Sequence, residues 1–427
     1  MKYNKVRMII IQLMLVAVKT IFVVIKLPLF LFFYLSGFIK RDNEKWVFSS
    51  WEGKYFRGNC KYFFEYVSQR KYVNAIWLTK SYKLYKALKK DNINVLYMFS
   101  PQGIYALSKA KNVFVSHGVL DVLPYFVRGA NIVSLGHVVS PIKMNSVTEA
   151  AMKLPFIHKV KLYVTDPYSH MNLITYEVVS SCFTRNSVMF MRNTKNNRNR
   201  ILTLGLPKTD YQLSISKTCR SKIFNNVLST IVPDSLSDQK IILFLPTWRD
   251  DVSFSIFNEG FDSIRLNNVL TETQSILLIN FHPFDKSSKL MNNLAKTEPR
   301  IFLTSVGGDN ITNLLCSADI FITDYSSLYS DFLLYDRPMI FAKFSHKDYI
   351  KERSLKFNYD TLPGEKVLNW YQLEDAIKNE MVMKEDKYST NRKKLRQLIY
   401  DGNDDGLSSF RIYKYFLDLN RTGPRIH

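Results

Sequence analysis

The sequence predicts an α/β fold made of two successive domains, each a parallel sheet covered by helices. Three observations predict it. Short apolar runs alternate with polar stretches of helical period and length. A polar, basic run over residues 192–200 (RNTKNNRNR) interrupts that alternation near its middle. Beyond it, residues suited to holding anions recur directly behind strand after strand, as ligand sites do at the carboxyl edge of an open parallel sheet.

Residues 8–39 are almost wholly apolar and aromatic, broken only by Gln12, Lys19, Thr20, Lys26, Pro28, Ser36 and Gly37. Neither uninterrupted half reaches the roughly 20 apolar residues of a comfortable bilayer span. Lys19 and Lys26 share a helical face and can snorkel. No small-residue cleavage site follows, which argues against a secretory signal. Residues 1–41 are therefore expected to attach the protein to a membrane as an interfacial helix, a tilted span or an uncleaved anchor. A buried core hairpin is the competing reading. Basic residues at both ends (Lys2, Lys5, Arg7; Lys40, Arg41) leave the orientation open.

Residues 42–195 form the first expected domain. Its strands are the apolar runs at 46–48, 75–78, 95–98, 113–115, 132–135 and 162–164, with helices over 60–69 and 81–89. Residues 196–400 form the second, with strands at 201–204, 241–245, 276–279, 301–303, 320–323 and 339–342. Residues 401–427 hold a last amphipathic helix and tail that pack back on either domain.

The most informative stretch is 320–343, IFITDYSSLYSDFLLYDRPMIFAK. Four apolar or β-branched residues suit a buried strand. Asp324, Ser326 and Ser327 follow as acceptors for free backbone N–H groups at a helix start. Leu328, Phe332 and Leu333 fall at helical spacing before Asp336-Arg337-Pro338 ends the turn. A helix start with two hydroxyls behind a buried strand suits phosphate, although the same side chains serve equally as caps. Other strands of the second series are followed by Gly205-Leu206-Pro207-Lys208-Thr209-Asp210, Pro246-Thr247-Trp248-Arg249 and His282-Pro283. Lys208, Arg249, His282 and the two serines would then line one rim, an anion site suited to a diphosphate. In the first domain His117 and His137 each follow a strand, and one of them is expected to be a general base.

Lysine and arginine exceed aspartate and glutamate by 22 charges, spread along the chain. Such a field suits nucleic acid, an anionic membrane or phosphorylated substrates. The basic run at 192–200 lacks interleaved aromatics and reads as a solvated connection, so nucleic acid is not expected. Cys60, Cys182, Cys219 and Cys316 lie far apart, with no CxxC pair and no histidine at metal spacing. They are expected to be reduced, in a protein facing the cytosol without structural zinc.

Taken together, ITDYSSLYSDFLLYDRPMIF, LFLPTWRD, GLPKTD and NFHP resemble the CDP-glycerol glycerophosphotransferase family of teichoic-acid and capsule polymerases. DYIKERSLKFNYDTLPG is similar to the family's closing motif, with Ser354 in place of glycine, and Trp51-Glu52-Gly53-Lys54 with Asn59 to its opening one. The resemblance spans roughly residues 46–364. It implies two Rossmann-like domains facing across a cleft (a GT-B architecture), the nucleotide donor on the second, and no metal or other cofactor. It implies transfer of glycerol phosphate from CDP-glycerol to a hydroxyl of a membrane-linked glycan or polyol-phosphate acceptor, releasing CMP at the cytoplasmic face of the cell membrane. The family's WHG-proline-lysine signature falls on residues 135–143, with Gly136 for tryptophan and Val138 for glycine. That implies His137 as the base, His117 as the alternative, and His282 as the second catalytic histidine. Lys208, Arg249, Asp324, Ser326 and Ser327 are then the donor- and phosphate-binding set. A nucleotide-sugar glycosyltransferase of the same architecture is the alternative, and a basic, membrane-associated polyanion-binding protein the non-enzymatic rival.

Overall fold

The structure, a computed structural model, describes residues 31–136, 173–192, 200–216, 228–247, 259–281, 298–304, 306–344, 358–382 and 386–422. Among them, seven strands form one parallel sheet and six another. The first runs β3-β2-β1-β4-β5-β6-β7, with β1 Asp42–Phe48, β2 Asn74–Thr79, β3 Val95–Tyr97, β4 Ala110–Val115, β5 Asn131–Ser134, β6 Tyr176–Val179 and β7 Ile201–Thr203. The second runs β10-β9-β8-β11-β12-β13, with β8 Lys240–Leu245, β9 Ser275–Asn280, β10 Ile301–Thr304, β11 Ile320–Thr323, β12 Met339–Ala342 and β13 Glu365–Val367. After Lys240, β8 is apolar and buried throughout, and β9 is buried along its whole length around an apolar centre, as strands covered by helices on both faces are.

Both sheets are wound outward from the middle. β1 neighbours β4 in the first, and β8 neighbours β11 in the second. Each pair marks a topological switch point, where the departing connections diverge and leave a crevice at the carboxyl edge.

The helices are set by ordinary caps. Ser81 accepts from the Leu84 N–H ahead of α2 (Tyr82–Lys90), itself preceded by α1 (Gly58–Ser68). Ser100 accepts from Gly103 N–H and Pro101 opens α3 (Pro101–Lys109). The chain continues through α4 (Cys182–Arg192), α5 (Pro207–Ile215), α6 (Ser263–Glu272), α7 (Asp309–Ser317), α8 (Leu328–Phe332), α9 (Trp370–Val382), α10 (Ser389–Tyr400) and α11 (Ser408–Thr422).

The last helix returns to the first sheet. Phe416 meets Phe114 of β4 edge-on at 5.5 Å, and Tyr413 meets Trp46 of β1 at 5.8 Å, all within one core. Asp210 of α5 caps α11 by accepting from Ser408 N–H (3.0 Å) and Ser409 N–H (2.7 Å). Gly205, at φ +83°, lies so close that a Cβ would stand 2.2 Å from Ser408 Oγ. The GLPKTD stretch is thus, in part, a docking seat for the C-terminal helix.

Several expectations are corrected. Residues 201–203 pair with β6, so this strand closes the first sheet instead of opening the second. β6 and β13 were not foreseen: Tyr176-Glu177-Val178-Val179 and Glu365-Lys366-Val367 are short and carry charges that mask their strand character. Cys60 and Cys182 are free as expected, but Cys316 is disulfide-bonded. No helix among the described residues is long and apolar enough to cross a membrane. Most of the apolar N-terminal stretch, and the run at 162–164, lie outside the described residues. Residues 31–36 form a helical turn whose Phe33 is buried while Leu31, Phe32, Tyr34, Leu35 and Phe38 are exposed.

Candidate active site between the two sheets

The site is built from the two switch points. In the second sheet, β8 delivers Pro246 and Thr247, and β11 delivers Asp324 to Ser327. Asp324 is buried, and its Oδ1 accepts from Thr247 N–H (2.8 Å), Thr247 Oγ1–H and Tyr325 N–H (2.6 Å). Tyr359, from the closing motif, donates its hydroxyl to the Asp324 carbonyl at 2.8 Å. Asp324 therefore clamps the loop that leads to Arg249. Ser326 Oγ accepts from Leu328 N–H at 3.3 Å, capping the short α8, and Ser327 follows at its first turn.

Lys208 reaches the same corner from α5. Its Nζ lies 2.9 Å from Asp331 Oδ2 on α8, with both side chains largely buried. Its backbone N–H donates to Asn59 Oδ1 at 2.9 Å. The ammonium expected to hold phosphate is thus already neutralised by a carboxylate.

Asn59 is the junction that sequence reading quoted without assigning a task. It is buried at the start of α1, and its Nδ2 donates to the carbonyls of Leu135 (3.1 Å) and Gly136 (3.2 Å). It fixes the backbone immediately before His137 against that of Lys208. His137, His282 and Arg249 themselves lie outside the described residues. The strands before them are where the sequence put them: β5 ends at Ser134, β8 at Leu245 and β9 at Asn280.

The switch point of the first sheet holds His117. Its Nδ1 is 2.9 Å from Ser116 Oγ, and its ring lies 4.2 Å from that of Trp51. Ser116 Oγ donates to Asp121 Oδ2 (3.0 Å) and accepts from Trp51 N–H (3.0 Å). With that hydroxyl proton committed to Asp121, neutral His117 must carry its own proton on Nδ1, which makes Nε2 the basic nitrogen. Burial lowers the His117 pKa, Asp121 opposing and Arg57 assisting. The fully buried Asp121 also accepts from the backbone of Glu52, Ser116 and His117. Asp121 was missed by sequence reading; its signal is the acid four residues behind a strand-end Ser-His.

The two carboxyl edges meet at the α1 and α7 starts. Asp309 accepts from Gly58 N–H at 3.2 Å and Lys61 Nζ at 2.6 Å. Among the described residues, no group of three or more His, Cys, Asp or Glu side chains is placed to hold a metal ion.

The family model of CDP-glycerol:poly(glycerophosphate) glycerophosphotransferase matches residues 31–418. Among curated relatives, the teichoic acid ribitol-phosphate polymerase TarL of Staphylococcus aureus is 27% identical over 42% of this chain and 31% of its own length. The teichoic acid glycerol-phosphate transferase of the same organism is 26% identical over 79% of this chain and 85% of its own. The chain thus spans about a third of the ribitol-phosphate polymerases it matches. In fold it is similar to the wall teichoic acid polymerase TagF, including a CDPG-soaked form: TM-score 0.68 at 21% identity, covering 94% of this chain and 97% of that one. The match over nearly the whole described chain, and the two sheets whose switch points carry the family's motifs, make this protein a member of the CDP-glycerol:poly(glycerophosphate) glycerophosphotransferase family.

Proposed function

We propose that this protein transfers glycerol phosphate from CDP-glycerol to a hydroxyl of a membrane-linked, teichoic-acid-like acceptor, releasing CMP. The observation that carries the reading is the pair of switch points brought together by α1 and α7, each bearing motifs of this family. The donor is assigned to the second sheet, its diphosphate to Ser326 and Ser327 behind β11 and, from the sequence, to Arg249 and His282. Asp324 and Lys208, each committed to a protein partner, shape that pocket by holding the Thr247 loop and α8. His137 takes the proton of the acceptor hydroxyl as it attacks the glycerol-bearing phosphorus, with His117 the alternative base. Fixed cations and dipoles then stabilise the charge that builds on the transferred group.

The exposed Leu31, Phe32, Tyr34, Leu35 and Phe38, continuous with the apolar residues before them, support attachment to the cytoplasmic face of an anionic membrane. The test is CMP release by the full chain in detergent, offered CDP-glycerol with and without a membrane lipid extract. Acceptor-dependent release is expected. Release only from a UDP-sugar or CDP-ribitol would overturn the choice of donor.

A further inference from the structure

Most described arginines are engaged in hydrogen bonds, even Arg41, whose Nε is buried without a partner while both of its terminal nitrogens donate to carbonyls. Arg41, Arg265, Arg337, Arg392, Arg396 and Arg411 each donate to carbonyl or carboxylate oxygens. Arg57 differs. Its guanidinium is held over the ring of Trp51 at 3.7 Å and over that of Tyr55 at 4.2 Å. Its Nε is buried without a hydrogen-bond partner.

The acids around it are spent elsewhere. Glu52 faces Lys54 at 2.6 Å, Asp309 takes Lys61 Nζ and Gly58 N–H, and Asp121 is filled by Ser116 and three backbone amides. Two aromatic rings flank the cation, and no hydrogen bond among the described residues uses its N–H fork. A buried donor left unfilled is costly unless a ligand completes it. The fork of a guanidinium matches two oxygens of a phosphate.

Its position says which phosphate. Arg57 follows β1 at the switch point of the first sheet, and Gly308 of the second domain approaches it: a Cβ there would lie 3.6 Å from Arg57 Cδ. Two residues on, Asn59 holds the Gly136 carbonyl, the last link before His137. The PTWR, NFHP and DYSS motifs, by contrast, follow strands of the second sheet. We propose that Arg57 is the receptor for a phosphate of the acceptor, reading a phosphodiester that already stands beside the hydroxyl to be extended. This rests on the transfer reaction above and adds a preference: an acceptor that carries polyol phosphate is favoured over a neutral glycan end.

The test uses the full chain and two acceptors on the same lipid, one ending in a neutral glycan and one carrying a single glycerol phosphate. For Arg57→Ala, the KM for the phosphorylated acceptor is expected to rise about tenfold or more, the loss of one charge-assisted pair. The KM values for CDP-glycerol and for the neutral acceptor should stay within about twofold. Arg57→Lys keeps the charge without the flat fork and should fall between; it also carries the test if the alanine variant fails to fold. An equal rise for both acceptors, or a rise confined to CDP-glycerol, overturns the proposal. Independently of turnover, calorimetry with a soluble glycerol phosphate oligomer at saturating CMP should show binding to the wild type that Arg57→Ala loses. Equal binding by both, or no binding by the wild type, overturns it as well. Failure of the wild type to release CMP from CDP-glycerol would instead sink the reaction assigned, while the calorimetry still decides Arg57.

Discussion

Thr247 and Asp324, on neighbouring strands of the second sheet, are joined twice: the aspartate accepts both the N–H and the hydroxyl of the threonine. This pair sets the spacing between the PTWR and DYSS motifs. Asp324→Ala should leave buried N–H groups unfilled, costing about 1–3 kcal/mol, and should free the loop that carries Arg249. A lowered melting temperature together with a raised KM for CDP-glycerol is expected. Asp324→Asn, which keeps the accepting oxygen, should recover most of the stability; if it is as damaging as alanine, the carboxylate charge itself is needed.

Lys208 and Asp331 form a largely buried pair, and Asp331 Oδ1 is buried without a partner. Lys208→Met should destabilise by about 3 kcal/mol, because an unpaired carboxylate remains inside. Adding Asp331→Leu should restore much of that, as chemical denaturation would show. If Lys208 instead served the donor directly, the double variant would be stable yet keep a raised KM for CDP-glycerol.

His117 links stability to acidity. Its pKa is held below the usual 6.5 chiefly by burial. On acidification the unfolded chain therefore binds this proton first, so stability falls as pH drops through 6.5 toward the folded value. His117→Phe should flatten the loss of stability between about pH 7 and 5. An unchanged slope in denaturant midpoints would refute this linkage.

Gly205 has a positive φ and no room for a Cβ beside Ser408. Gly205→Ala should cost more than about 2 kcal/mol and loosen α11 from its seat. Faster exchange of the amides at Ser408 and Ser409 would report it, since their acceptor is Asp210.

Much of the second sheet was legible because strands buried on both faces carry continuous apolar runs, as residues 241–245 and 276–279 do. The first sheet was harder at its far edge. Tyr176–Val179 is short and half-polar, and Ile201–Thr203 joins it only through a pairing that no local pattern encodes. The motif stretches were legible as well, but not the division of labour within them. Whether Asp324 faces a phosphate or Thr247, and whether Lys208 is available or paired with Asp331, depends on neighbours about 77 and 123 residues away. Arg57 went unremarked because its distinction is a missing partner, and partners are assembled only by the fold.

The return of α11 to the first sheet also orders events during synthesis. Trp46 and Phe114 lie in the first quarter or so of the chain, yet the rings of Tyr413 and Phe416 complete their enclosure. A nascent chain leaving the ribosome would thus keep an aromatic face of its first sheet open until the last helix is made, while the second sheet, whose own strands lie within residues 240–367, closes earlier. The half translated first is the half finished last.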